Sequence, residues 1–131
     1  MGFDQYHEPP EELSPETRTR ARMFASLTEE AEAIGWYDQR MSLEKDPEAK
    51  AIMADAQTEE FKHFCMDLEF LMRRIPIWRE IAQGVFFQSG DITELGNAAE
   101  EAADSDGGGS PAASDPANSS LGISGMKGAG L

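Results

Sequence analysis

Lys45-Asp46-Pro47-Glu48 is the stretch that decides how this chain folds. A long run of helical periodicity lies on either side of it. Asp46 is suited to cap a helix and Pro47 to occupy its first position, so the four residues mark a turn between two helices. Upstream, Ser14-Pro15-Glu16-Thr17 is a helix start of the same kind, with acids in the first turn. From there Met23, Leu27, Ile34 and Met41 recur along one side, with Phe24 and Ala31 beside them, which predicts a helix to about Leu43. Downstream, Phe61, Phe64, Cys65, Leu68, Leu71 and Met72 form the apolar stripe of a second helix over 47–74. Two helices joined by so short a turn are antiparallel neighbours. Pro76 ends the second helix, and Trp78, Ile81, Val85 and Phe86 mark a shorter third one over about 76–88. The expected fold class is all-α: an antiparallel two-helix hairpin, half of a four-helix bundle, with a short third helix. Dimerisation completes the bundle.

Composition sets the boundaries. Residues 1–11 contain Pro9-Pro10 and read as a flexible arm, and residues 12–92 are the helical domain. From Thr93 the chain holds most of its 12 glycines and almost no large apolar residue before Leu121. Residues 93–120 therefore read as a disordered Gly/Ser/Pro/Asp linker and residues 121–131 as a separate terminal peptide. A helical domain this small buries little surface alone, and association of copies is the usual remedy. The net charge is −14, with no basic stripe, so nucleic acid is not an expected partner. No apolar run approaches the length of a membrane span, so no membrane is expected either. The single cysteine, Cys65, forms no intrachain disulfide and fits a reducing cytoplasm; no role beyond packing can be argued for it.

The chemistry lies in a few residues. On a helical wheel Glu30 falls within about 60° of Met23, Leu27, Ile34, Tyr37 and Met41, so it projects from the apolar stripe itself. A lone carboxylate there costs several kcal/mol unless paired or metal-bound. On the next helix Glu60 and His63 are three residues apart and can reach one point. A complete carboxylate-bridged di-metal site in a bundle uses two lone Glu residues and two Glu-x-x-His pairs. This chain has one of each, so two chains must meet at the metals if the residues are ligands at all. Glu30 and Glu60 from both chains would then be balanced by two divalent cations, and the mixed oxygen/nitrogen set suits iron, manganese or zinc. Glu29 and Glu32, with Trp36, lie on the other side of the first helix. They are either a solvated acidic face or a loose second cation site. Tyr37 is either a core tyrosine or a hydrogen-bond partner of a ligand carboxylate.

At these residues the chain resembles the encapsulated ferritins, a branch of the ferritin-like superfamily. The resemblance runs through Glu29-Glu30-Ala31-Glu32, Trp36-Tyr37-Asp38-Gln39-Arg40, Asp46-Pro47-Glu48, Glu59-Glu60-Phe61-Lys62-His63 and Met66-Asp67-Leu68-Glu69. It implies a ferroxidase that oxidises ferrous iron with dioxygen. Glu30, Glu60 and His63 of two protomers would build a di-iron centre with two iron ions per dimer interface. Dimers would assemble into a ring of ten chains. Glu29 and Glu32 would be secondary metal-uptake residues, with Trp36 beside them, and Tyr37 would lie near the di-iron ligands. The terminal stretch Ser120-Leu121-Gly122-Ile123-Ser124-Gly125-Met126-Lys127-Gly128 resembles the cargo-loading peptide read by encapsulin shells, with Leu121, Ile123 and Met126 as apolar anchors. Met126 stands where Leu is more usual. The implied setting is the lumen of an encapsulin nanocompartment in the cytoplasm, where iron is stored. Two alternatives stay open: a non-catalytic helical scaffold stapled by metal, and a peroxide-reducing ferritin-like di-metal enzyme.

Overall fold

A computed structural model of the protein describes residues 4–107. Within them the chain is all-helical, with four α-helices and no strand among the described residues. A short 3-10 turn, Pro10–Glu12, precedes α1 (Pro15–Leu43); α2 (Pro47–Arg74), α3 (Pro76–Val85) and α4 (Ile92–Gly107) follow.

The two long helices each begin where a side chain satisfies free backbone N–H groups. Ser14 Oγ accepts from the Thr17 N–H at 3.0 Å. Asp46 Oδ1 accepts from the N–H groups of Glu48 at 2.9 Å and Ala49 at 3.0 Å. The expected caps of the two long helices are thus both present. Pro76 separates α2 from α3, which has no side-chain cap; the N–H groups of Trp78 and Arg79 donate to the Ile75 carbonyl. The Arg18 guanidinium donates at 2.9 Å to the carbonyls of Pro10 and Leu13, which ties the 3-10 turn to α1.

The chain divides after Leu71 into two compact units. In the first, α1 and α2 run antiparallel, because facing positions descend one helix as they climb the other. Gln57 donates to the Ile34 carbonyl at 3.1 Å, and Glu60 and His63 face Glu30. Leu27, Thr28, Ala31, Glu32 and Phe64 line a shallow open cavity of about 430 Å³. No residue from Asp4 to Phe70 is buried. Phe24 and Phe61 are 38% and 47% exposed, so the hairpin's apolar stripe stays open.

In the second unit α3 packs on α4. Small residues make the contact: Ala82, Ala99 and Ala103 are buried. Gly84 admits the close approach, since a Cβ at that position would lie 2.6 Å from the Ala99 Cβ. Asp91 caps α4, its Oδ1 accepting from the Glu94 N–H at 3.0 Å. Gly90, with φ +119°, supplies the preceding turn.

This corrects the expectation that residues 93–120 form a linker. Their first part belongs to α4, which extends to Gly107. An alanine ridge needs no large side chain when it packs on a glycine, so the segment carries a helix without the apolar signal that normally marks one. The rest of the expected linker and the peptide with Leu121, Ile123 and Met126 lie outside the described residues. The third helix ends at Val85 rather than near 88; Phe87, at φ +63°, has left the helical conformation.

Candidate metal centre

Near the middle of α1, Glu30 meets the face of α2 that carries Glu60 and His63. One ligand atom from each of the three residues lies within 4.8 Å of the other two. Both helices are regular through this region, so the side chains spring from rigid backbone. His63 Nδ1 stands 3.8 Å from Glu60 Oε1, too far to hydrogen-bond. Two atoms each about 2.1 Å from one ion are roughly 3–3.8 Å apart at coordination angles of about 90–130°. The gap therefore fits a shared cation better than a direct contact. The Glu60 and His63 side chains are 26% and 44% exposed, so the cluster is open to incoming ions.

Electrostatics points the same way. Glu30 Oε1 is buried and has no hydrogen-bond partner, and neither has the buried Oδ2 of Asp67. The two carboxyls are within hydrogen-bonding reach of each other, and such a bond forms only with a proton between them. Burial, then Asp67, then the charges of Glu60 and Glu29, push the Glu30 carboxyl up to about 7. Every charge acting on it is negative. The nearby Lys62 is engaged elsewhere: its Nζ lies 2.8 Å from Glu59 Oε1 and holds the Glu59 carboxyl below its usual range. A buried acceptor without a donor, in a negative environment with hard oxygen and imidazole nitrogen groups, fits a divalent transition metal.

Glu30, Glu60 and His63 are thus brought together. Glu29 and Glu32 are exposed and join no group of three metal-binding side chains among the described residues. Trp36 is 46% exposed. Tyr37 is half-buried, and the Arg40 guanidinium sits 5.3 Å from the centre of its ring. Asp67 was not singled out from the sequence. Its spacing held the signal: Glu60, His63 and Asp67 stand at i, i+3 and i+7 on one face of α2.

Fold and site together define a helical hairpin carrying a carboxylate–imidazole cluster of the kind that binds redox metals. The chain belongs to the EncFtn-like family, whose model matches residues 5–89 and so spans α1, α2, α3 and the cluster. It is 42% identical over 123 residues to an encapsulated ferritin-like protein of Rhodospirillum rubrum, covering 93% of this chain and 87% of the relative. A ferritin-like protein of Thermotoga maritima is 41% identical over 92 residues, covering 70% of this chain and 81% of that one. Among solved structures, the crystal structure of protein ne0167 from Nitrosomonas europaea superposes with a TM-score of 0.66 at 42% identity, covering 68% of this chain and 99% of that one. A ferritin-like, iron-related role follows from the family. No described helix is long and apolar enough to cross a membrane.

Proposed function

We propose that this protein is a ferroxidase whose site is completed by a second copy of the chain. Glu30, Glu60 and His63 of two protomers hold two iron ions at the seam, and ferrous iron is the substrate. The observation that carries this reading is the convergence of the three side chains to within 4.8 Å, with acidic neighbours acting on Glu30. The open stripe around the cluster supports the second copy: Leu27, Ala31 and Phe64 line the adjoining cavity, and Phe61 is 47% exposed. At about 25 cal/mol per Å², covering such a stripe is worth several kcal/mol.

The chain's own residues have distinct tasks. Glu30 and Glu60 supply oxygen atoms that neutralise and position the iron. The neutral imidazole of His63 supplies nitrogen without adding charge. Exposed Glu29 and Glu32 raise the local concentration of ferrous ions by charge, with Trp36 beside them and Tyr37 toward the cluster. Two ferrous ions give up two electrons. Dioxygen accepts them with two protons and leaves as hydrogen peroxide, and two ferric ions remain. Dimers assemble into a ring of ten chains. The terminal peptide, through Leu121, Ile123 and Met126, docks the ring inside an encapsulin shell, where the ferric product is stored. The name of the Rhodospirillum rubrum relative supports that setting.

The test is aerobic oxidation of ferrous salt by wild type and by Glu30→Ala, Glu60→Ala and His63→Ala, alongside the mass of each assembly. Each variant is expected to lose oxidation while remaining helical. Unchanged rates in all three would remove the mechanism.

A further inference from the structure

We infer that Asp67 is a further residue of this site and sets its preference for trivalent over divalent cations. The inference rests on the reading above, that two protomers share the cluster. Three observations carry it. Asp67 shares the face of α2 that presents Glu60 and His63, one turn beyond His63. Its Oδ2 is buried without a hydrogen-bond partner, against a Glu30 carboxyl whose Oε1 is in the same state. A carboxylate recruited for the fold alone would find a donor. The lysine nearest in sequence, Lys62, pairs with Glu59 instead.

Counting charge then decides the preference. Two divalent cations balance Glu30 and Glu60 of two protomers. Adding Asp67 from each leaves two negative charges over, and a pair of trivalent cations balances all of them. In a poorly solvated seam an unbalanced charge a few ångströms away is weakly screened. The site would therefore hold ferric product more firmly than ferrous substrate, which makes the bound iron easier to oxidise.

Terbium(III) and zinc(II) test this without redox chemistry. Each is titrated into the full-length protein, and only binding that Glu30→Ala abolishes is counted, which excludes surface acids. In Asp67→Asn the ratio of terbium to zinc affinity is expected to fall about tenfold, while Asp67→Glu keeps it within about threefold of wild type. Asp67→Ser is a second neutral variant and must behave as Asp67→Asn does. An unchanged ratio in the neutral variants, or an equal fall in Asp67→Glu, overturns the role of Asp67 and leaves the site standing. A wild type with no Glu30-dependent binding of either cation overturns the shared-site reading and this inference together.

Discussion

Replacing Glu30 with glutamine should stabilise the metal-free protein, although Glu30 is a proposed ligand. The Glu30 carboxyl is pushed from 4.5 up to about 7 in the folded chain. Between those values the folded protein binds a proton that the unfolded chain does not, so stability falls as pH rises through this window. Below about 4.5 both states are protonated and the penalty is absent; above about 7 it is complete. At about 1.4 kcal/mol per unit the full penalty is about 3 kcal/mol. From pH 5 to pH 8 it grows by roughly 2–3 kcal/mol, or about 10 °C in Tm for a domain of this size. Glutamine removes the ionisation yet keeps a donor toward Asp67.

Thermal unfolding of wild type and Glu30→Gln in chelator, at several pH values from 5 to 8, measures the difference directly. The variant should gain steadily on wild type as pH rises and be the more stable of the two at pH 8. Added zinc should reverse the order, since a ligand at about 1,000 times its Kd stabilises wild type by about 4.1 kcal/mol, more than the penalty, while the variant has lost a charged ligand. A variant less stable than wild type at pH 8 in chelator would refute the reasoning, because it would mean that Glu30 has a compensating partner in the folded state.

Other consequences are as direct. Glu60→Ala and His63→Ala should each weaken zinc binding by at least about 10–100-fold, read by competition with a chromophoric chelator. Stripping metal should lower the mass of the assembly in light scattering, and returning zinc, manganese or ferrous iron should restore it. Gly84→Ala should destabilise by about 1–3 kcal/mol, because its Cβ would meet that of Ala99 at 2.6 Å. Gly96→Ala, in open space on α4, should stabilise by about 0.5–1 kcal/mol; denaturant midpoints separate the two. Removing residues 121–131 should leave ferrous oxidation intact but abolish co-purification with a co-expressed encapsulin shell.

The hairpin was legible because its punctuation is local. Ser14, Asp46 and Pro76 act on the backbone within three or four residues, so their meaning does not depend on tertiary contacts. The meeting of Glu30 with Glu60 and His63 was legible for a related reason: an antiparallel pair with a short turn leaves little choice of register. Helix α4 was not legible, because it packs through Ala99 and Ala103 against a helix that carries Gly84. Such a contact works by close approach rather than by side-chain area, and apolar periodicity is blind to it. Asp67 was hidden differently. Its face could be read from its spacing, but not that its oxygen would be buried beside Glu30 without a donor. That depends on how closely α1 and α2 approach, which no periodicity encodes.

The proposed dimer would also tie assembly to metal. Each hairpin presents an apolar stripe that favours pairing and a cluster of acids that opposes it. Bringing two such faces together without cations places Glu30, Glu60 and Asp67 of one protomer against the same residues of the other, in surroundings that already push Glu30 toward neutrality. Cations remove the repulsion and leave the apolar contact. Whatever free energy metal contributes to pairing, pairing contributes equally to metal affinity. A protomer alone should therefore be a weak site and the pair a strong one, even though no side chain need change its conformation. On the proposed function, sharing the ligands between copies would confine tight iron binding to the assembled protein.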